Sequence, residues 1–283
     1  MEHNERIKAI TDSLLREDEV GHRYFRAEHY SVPDRRAIIA ILKDIQSVMF
    51  PEYFKTERTE GLGTEERLER LFISLKRQIT AAFSFFGKEA VVDTEAYAYG
   101  ILEVIPDVKR ALVKDVQAIY EGDPAARSPE EVILCYPGFY AISIYRIAHE
   151  FYVRKIPYIS RMMTEYAHEK TGIDIHAGAT VGERFFIDHG TGIVIGETTT
   201  IGDGVKIYQG VTLGARSFEL DGDGNPVKGI KRHPDIGNNC VIYANATILG
   251  GDTKIGDGAV IGANVWVTSS VDAGAVVYYG KRG

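Results

Sequence analysis

The chain has 283 residues, enough for about two domains of ordinary size, and its 45% hydrophobic and 26% charged residues are typical of a protein with a sizeable core. A formal net charge of −7 disfavours a nucleic-acid partner, and no apolar run is long enough to span a membrane. Residues 1–20 lack the apolar core of a signal peptide, and two cysteines, Cys135 and Cys240, are too few for a disulfide framework, so we expect a cytoplasmic protein.

Residues 1–170 contain only 7 of the 29 glycines, and their apolar residues recur at the three- and four-residue steps of helix faces. One such stripe follows Pro33 and consists of Ile38, Ile41, Leu42 and Ile45. A second consists of Leu68, Leu71, Phe72, Leu75 and Ile79. We expect Thr64 to cap this second helix and Gly87 to follow its end. Further helices are predicted from near Thr94 to Tyr120, broken or kinked at Pro106, and from Pro137 to Arg154.

Residues 171–283 contain the other 22 glycines and a repeat of six residues. The repeat is interrupted by an eight-residue step before Ile195, a 23-residue gap before Ile236 and a seven-residue step before Ile255. A six-residue period indicates a parallel β-helix, in which each repeat supplies a short strand with one inward aliphatic side chain. The general crossover rule favours a right-handed coil. The aliphatic positions are Ile175, Val181, Ile187, Ile195, Ile201, Ile207, Leu213, Ile236, Ile242, Ile248, Ile255, Ile261 and Val267.

Several motifs resemble those of the serine O-acetyltransferase family of hexapeptide-repeat acyltransferases. They are DIHAGATVG (174–182), DHGTGIVIGET (188–198), QGVTLG (209–214), RHP (232–234), DVQAIYEGDPAA (115–126) and GFYAISIYRIAHE (138–150). The resemblance covers roughly residues 110–270. It implies an α + β fold: an N-terminal α-helical oligomerisation domain (1–170), then a left-handed parallel β-helix (171–283) with an extruded loop at 214–235. The left-handed coil of this family is an exception to the crossover rule.

The resemblance also implies a reaction. Acetyl would pass from acetyl-CoA to the hydroxyl of L-serine, giving O-acetyl-L-serine and CoA in the first step of cysteine biosynthesis. Acetyl-CoA would be a co-substrate, with no permanently bound cofactor and no metal. Members of this family form trimers with active sites between neighbouring subunits, and their helical domains commonly join two trimers into a hexamer. L-cysteine is an expected feedback inhibitor, because it is serine with sulfur in place of oxygen.

Two residues match the catalytic pair of the family. His189 matches the catalytic histidine, and an imidazole is well suited to activate a serine hydroxyl, which is a poor nucleophile at neutral pH. Asp174 matches the carboxylate that orients this histidine. Their separation of 15 residues nearly equals one coil of the family's β-helix, about 18 residues, so adjacent coils can bring the two side chains together. The substrate itself would attack the thioester, so we expect direct transfer without an acyl-enzyme.

Four further residues match the family's amino-acid site. Asp123 and Asp188 would bind the α-ammonium of serine. Arg232 would hold its carboxylate with the two parallel donors of a guanidinium, and His233 would be a second histidine in contact with the substrate. Asp123 is near the end of the helical part, so both domains would contribute to this site.

The acyl-donor site is predicted from backbone positions. By resemblance, N–H groups near Gly214 and Ala215 would stabilise the oxyanion, and backbone around Ala215, Ala244 and Ala263 would contact pantetheine. Basic residues of the 214–235 loop are candidates for the CoA phosphates. Tyr243 departs from the family pattern, because relatives often have glycine there.

One partner of the family is not expected for this chain. Many relatives end in a tail whose terminal isoleucine inserts into O-acetylserine sulfhydrylase, the next enzyme of the pathway. This sequence ends at Gly283 without such a tail, so the resemblance does not extend to that complex.

The sequence leaves three alternatives open. The acceptor could be another amino acid, such as homoserine, or a sugar. A zinc carbonic-anhydrase-like β-helix would bind zinc through three histidines at the subunit interface, for which His176, His189 and His233 are candidates, and stoichiometric zinc would favour it. A non-catalytic scaffold on the same fold predicts that His189→Ala leaves the protein's role intact.

Overall fold

The computed structural model describes residues 3–21, 32–87, 92–278 and 281–282, in which seven helices precede fifteen short strands. The C-terminal end of the chain lies partly outside this description, at residues 279–280 and 283. None of the described helices is both long and apolar enough to cross a bilayer. The helices are α1 His3–Gly21, α2 Arg35–Met49, α3 Thr64–Phe86, α4 Thr94–Gly122, α5 Pro129–Cys135, α6 Pro137–Val153 and α7 Ile159–Thr171.

Both apolar stripes form helices as predicted, but the predicted cap of α3 is wrong by one residue. Gly63 occupies the N-cap position and Thr64 is the first helical residue, with no side-chain hydrogen bond capping the helix. Gly87 follows the end of α3 with a φ of 84°, in the left-handed region that glycine adopts without strain. Asp34 caps α2 by accepting hydrogen bonds from two backbone N–H groups.

The prediction that Pro106 could break its helix is wrong, because α4 runs uninterrupted from Thr94 to Gly122. Buried residues before and after the proline, among them Ile101, Ile105 and Leu112, pack into the core and hold the helix together around it. The predicted helix from Pro137 is confirmed as α6, with the proline in its first turn. The short helix α5 and helix α7 were not predicted individually.

All strands except the last pair in parallel and form a β-helix with three faces, and the chain visits face A, face B and face C in turn. Face A has the order β1-β4-β7-β10-β13, face B β11-β8-β5-β2 and face C β15-β14-β12-β9-β6-β3, so the solenoid has about five coils. The strands are β1 Asp174–Ile175, β2 Thr180–Val181, β3 Phe186–Asp188, β4 Val194–Ile195, β5 Thr200–Ile201, β6 Lys206–Tyr208, β7 Thr212–Gly214, β8 Asp235–Ile236, β9 Val241–Ile242, β10 Thr247–Leu249, β11 Lys254–Ile255, β12 Val260–Ile261, β13 Trp266–Val267, β14 Val276–Tyr278 and β15 Lys281–Arg282.

The hexapeptide prediction is confirmed position by position. All thirteen aliphatic residues lie in strands, and all except Val181 are buried. On face A, Ile175 pairs with Ile195, which pairs with Leu213, and the column continues through Ile248 to Val267. Burial of such side chains stabilises the fold by about 1.5–3 kcal/mol each. The inward column of each face therefore supplies the core of the solenoid.

The helical part packs against the first coil of the β-helix. Arg146 of α6 donates to both carboxylate oxygens of Asp115 in α4, at 2.5 and 2.8 Å, and to the carbonyl of Gly182. Asp115 also accepts the N–H of Phe185, at 2.9 Å. Asp115 is fully buried, so this ion pair fixes α4, α6 and the chain before β3 relative to one another. One hydrophobic core runs through both parts of the chain.

Candidate active site

His189 lies at the corner where the chain passes from face C to face A, which we call the CA corner. This corner is two residues longer than the corresponding corner of the next coil, which accounts for the eight-residue step in the repeat. His189 has a φ of 55° and the following Gly190 a φ of 87°, so the chain bulges outward with left-handed backbone. The side chain of His189 is 72% exposed, and its Nε2 is 3.8 Å from Oδ2 of Asp188. The histidine is therefore free to meet a substrate, with a carboxylate beside it.

The CA corner also contains both predicted ammonium ligands. The hydroxyl of Tyr136 donates to Oδ2 of Asp123 at 2.6 Å, and the N–H of Ala125 donates to Oδ1 of Asp123 at 2.8 Å. The hydrogen bond to Asp123 raises the pKa of Tyr136 to about 12, with smaller contributions from burial and from the charges of Glu131 and Asp188. The Tyr136 hydroxyl therefore contacts Asp123 directly and also experiences the charge of Asp188.

An aromatic pair continues along this corner. Tyr208 pairs with Asp188 across β3 and β6, and its ring stacks on Tyr243 with a centroid distance of 5.2 Å. Burial and the charge of Asp188 raise the pKa of Tyr208. Tyr243 immediately precedes Ala244, and Ala263 lies at the same corner one coil further on. The Tyr208–Tyr243 pair therefore connects the acidic end of the corner with the predicted pantetheine positions.

Asp174 lies at the start of face A, on the coil before His189. Its N–H donates to the carbonyl of Ile193, at the end of the His189 bulge. In the described part of the chain, no hydrogen bond or ion pair joins Asp174 to His189, and the carboxylate nearest to the imidazole belongs to Asp188. The structure thus brings the predicted pair to one corner without direct contact, and the orienting role of Asp174 stays a prediction.

Arg232 lies at the opposite end of face A, at the corner leading to face B, which we call the AB corner. Its Nη2 donates to Glu197 Oε2 at 2.5 Å, and the hydroxyl of Tyr152 donates to Glu197 Oε1 at 2.8 Å. Burial alone would raise the pKa of Glu197, but the hydrogen bonds from Arg232 and Tyr152 outweigh it and lower the pKa. A charged Glu197 therefore holds the guanidinium in place.

His233 packs beside Glu197 at this AB corner and is only 7% exposed. Its Nδ1 accepts the backbone N–H of Thr198 at 3.1 Å and lies 2.9 Å from the hydroxyl of the same threonine. A backbone N–H can only donate, so we assign the proton of the neutral ring to Nε2. Burial and the charge of Arg232 lower the pKa of His233 to about 4. His233 is thus a neutral hydrogen-bond donor at neutral pH, rather than a base.

The predicted acyl-donor positions are divided between the two corners. Gly214 ends β7 and Ala215 follows it at the AB corner, where the extruded loop leaves the coil, whereas Ala244 and Ala263 lie at the CA corner. The loop borders an open pocket of about 820 Å³ beside Glu197 and Arg232, and Phe218 and Lys228 of the loop line this pocket. Gly214, Ala215 and Ala244 are half-buried, and Ala263 is exposed.

The three histidines proposed for zinc do not meet in this chain. His176 and His233 lie at the AB corner, and His189 lies at the CA corner. Nδ1 of His176 accepts the N–H of Gly178 at 3.0 Å, so it is occupied like Nδ1 of His233. Over the described ranges, no three His, Cys, Asp or Glu side chains are grouped so that they could hold a metal ion.

The six predicted catalytic and substrate residues therefore form two groups at opposite ends of face A. Sequence reasoning did not identify Glu197 and Thr198, although both end the motif DHGTGIVIGET. Thr198 Oγ1 accepts the N–H groups of Arg232 and His233, at 3.0 and 3.1 Å, across 34 and 35 residues of sequence. Tyr136 was also missed, and no sequence signal beyond its place before a helix-starting proline marks it.

No protein-family model matches the chain. Over 278 residues it is 42% identical to a curated serine acetyltransferase described as plasmid-encoded, from Synechococcus elongatus, covering 92% of this chain and 86% of that protein. It is 47% identical over 162 residues to a serine acetyltransferase of Bacillus subtilis, covering 57% of this chain and 70% of that protein.

Solved structures agree with these sequence matches. Serine acetyltransferase 1 of Entamoeba histolytica in complex with L-cysteine has a TM-score of 0.74 and 39% identity, over 84% of this chain and 86% of that chain. Neisseria gonorrhoeae serine acetyltransferase in complex with serine has a TM-score of 0.58 and 26% identity, over 87% and 96% of the two chains. The helical part, the β-helix and the alignment over nine tenths of the sequence lead to one conclusion: the chain belongs to the serine acetyltransferase family of acyltransferases.

Proposed function

We propose that this protein transfers acetyl from acetyl-CoA to the hydroxyl of L-serine, with His189 as general base. The observation that supports this most strongly is the CA corner, where an exposed imidazole lies beside Asp188 and near Asp123. An imidazole beside one carboxylate, at a corner that also contains a second, suits a substrate with an ammonium group close to its reacting hydroxyl. The solved relatives with serine and with L-cysteine bound support an amino acid as the acceptor.

In this proposal the transfer is direct. An unprotonated nitrogen of His189 takes the proton from the serine hydroxyl as its oxygen attacks the thioester carbon. The tetrahedral intermediate collapses by breaking the carbon–sulfur bond, and the imidazolium returns its proton to the CoA thiolate. The products are O-acetyl-L-serine and CoA, and no acyl-enzyme forms.

The α-ammonium of serine would bind between Asp123 and Asp188, and the carboxylate would bind Arg232. His233 would add an Nε2–H donor, toward either the carboxylate or the developing oxyanion. Because the two groups lie at opposite ends of face A, we expect the CA corner of one subunit to meet the AB corner of its neighbour. A ring of three subunits would then contain three complete sites. A hexamer through the helical parts is compatible with this arrangement.

The groove between two such neighbours would also bind acetyl-CoA. Backbone near Gly214 and Ala215 from one subunit would face Ala244 and Ala263 from the other, with pantetheine running between them. L-cysteine would compete with L-serine, because its ammonium and carboxylate have the same spacing. Both free thiols of the chain, Cys135 and Cys240, suit a reducing compartment.

The test is thiol release from acetyl-CoA by purified protein, with L-serine, with L-homoserine and without an acceptor. His189→Ala should abolish serine-dependent release, whereas His168→Ala, at an exposed histidine of α7, should not change it. If thiol were released with L-homoserine but not with L-serine, homoserine rather than serine would be the acceptor. No release with any acceptor, in folded oligomeric protein, would reject the proposal in favour of a non-catalytic scaffold.

A further inference from the structure

We propose that Tyr136 is a positioning residue of the amino-acid site: its hydroxyl holds the Asp123 carboxylate in the orientation that receives the α-ammonium of the substrate. The proposal rests on the proposed function, because it assumes that Asp123 binds that ammonium. In this proposal Tyr136 does not contact the substrate and acts on it only by holding Asp123. Three separate elements, α4, α6 and β3, converge at the CA corner to place this tyrosine.

Two close backbone contacts cause this convergence. Gly122, the last residue of α4, packs on the ring of Phe186, and a Cβ there would lie 2.8 Å from its Cε2. Gly138, in the first turn of α6, packs on the carbonyl of Ile187, and a Cβ there would lie 2.5 Å from that oxygen. The first contact fixes the backbone next to Asp123, which follows Gly122. The second fixes the backbone next to Asp188, which follows Ile187.

Tyr136 lies between these two anchors. It follows α5 as the C-cap residue and precedes Pro137, the first residue of α6, so its backbone is fixed from both sides. From this position its hydroxyl reaches Asp123 at 2.6 Å. The other carboxylate oxygen accepts the N–H of Ala125 at 2.8 Å. Two donors, one on each oxygen, fix the plane of the Asp123 carboxylate and leave a lone pair on each oxygen for an incoming ammonium.

The hydroxyl also has the protonation state that this role needs. Tyr136 faces Asp123, Asp188 and Glu131, and its pKa is raised to about 12, so it remains a neutral donor over the whole working range of pH. A neutral donor steadies Asp123 without cancelling its charge, which a lysine or arginine would do. The acidic pair therefore keeps its full attraction for a cation.

Tyr136→Phe removes the hydroxyl and keeps the ring. We expect the KM for L-serine to rise about tenfold, the usual scale for loss of one hydrogen bond to a charged group, with kcat and the KM for acetyl-CoA within about twofold of wild type. Inhibition by L-cysteine should weaken by the same factor. Inhibition by 3-hydroxypropanoate, which is serine without its amino group, should not change.

The matched control is Tyr145→Phe. Its hydroxyl makes an equally short hydrogen bond, 2.6 Å, but the acceptor is the backbone carbonyl of Ala179 rather than Asp123. We expect this variant to lose thermal stability and to keep the wild-type KM for L-serine. A second test combines Tyr136→Phe with Asp123→Asn. If the tyrosine acts through Asp123, the double variant should have the KM of Asp123→Asn alone.

The outcomes separate this inference from the proposed function. A wild-type protein that does not acetylate serine would reject the function. An active wild type with an unchanged serine KM in Tyr136→Phe would overturn the inference alone. The inference would also be overturned if inhibition by 3-hydroxypropanoate weakened as much as inhibition by L-cysteine, or if the effects of the two substitutions on the KM for L-serine were additive. In either case the tyrosine would act on the whole site rather than on Asp123.

Discussion

The imidazole of His233 lies directly on Gly196, where a Cβ would be only 2.1 Å from the ring carbon Cδ2. Gly196 follows the strand β4 on face A, and His233 returns to it at the far end of the extruded loop, 37 residues later. The glycine is needed here because of the ring above it. The position of this histidine therefore depends on a residue of the hexapeptide repeat that has no side chain.

Gly196→Ala is expected to displace His233 and to lower kcat/KM for L-serine by at least about 30-fold, since a misplaced donor loses most of its contribution to transition-state stabilisation. Steady-state kinetics would measure this effect. Gly222→Ala, in the extruded loop with no atom near its added Cβ, is the control and should behave as wild type. Equal activity of the two variants would contradict the dependence of the His233 position on Gly196.

Mixed oligomers test whether the site lies between subunits. His189→Ala damages the CA corner and Arg232→Ala the AB corner, and each variant alone should be nearly inactive. In trimers assembled from equal amounts of both, one interface in four would combine two intact corners, so about a quarter of wild-type activity should return. Protein denatured and refolded as a mixture, assayed beside each variant refolded alone, would measure it. No recovery would mean that each site lies within one chain.

The stability of the protein should depend on His233 in mildly acidic solution. Its pKa is about 4 in the folded chain and near 6.5 when unfolded. As the pH falls from 6.5 to 4, the unfolded chain binds a proton that the folded chain does not, so the free energy of unfolding should fall, by about 3 kcal/mol per subunit from this residue.

His233→Asn keeps an acceptor for the N–H of Thr198 but cannot titrate. Chemical denaturation of both proteins at about pH 7 and about pH 4.5 should therefore give a smaller loss of stability for the variant. The pKa of His176 is also lowered by burial, so the decline should shrink without vanishing. An identical decline in the two proteins would contradict the assigned pKa.

The buried pair of Asp115 and Arg146 should be important for folding. Asp115→Ala leaves a buried guanidinium without its partner, and we expect the free energy of unfolding to fall by about 3–5 kcal/mol. Lys114→Ala removes the neighbouring exposed pair with Glu183 and should cost less than about 1 kcal/mol. Urea denaturation of both variants would measure the difference, and a similar cost for the two would contradict the interpretation.

The sequence predicted the solenoid well because its core obeys a local rule. Each inward position, such as Ile207 or Ile261, must be aliphatic and six residues from the next, and this is visible without knowing any contact. The cap of α3 was misplaced because Gly63 and Thr64 both suit that position, and only the backbone path decides between them. Pro106 was overrated as a helix breaker because packing of the flanking turns is not visible in the sequence.

The candidate site was harder to predict. Motif resemblance identified residues such as His189 and Arg232, but it did not reveal that a single chain holds them at two separate corners. Glu197, Thr198 and Tyr136 act through partners 13 to 35 residues away, and such contacts form only when the coils stack and the helices pack on them. Side chains that position other side chains leave no periodic pattern.

The interruptions of the repeat all fall at corners. Two extra residues form the His189 bulge, and the 23-residue gap contains the extruded loop. One extra residue lies at Gly250–Gly251, where the backbone of Lys231 and Arg232 packs closely on Gly251. The strands resume in register after each of them, as Leu213 still pairs with Ile248 beyond the loop. A corner can therefore be lengthened without moving any strand of the core. For protein engineering, this makes the corners of the solenoid the places to insert new residues, and it allows the acceptor site to be redesigned at little expense in stability.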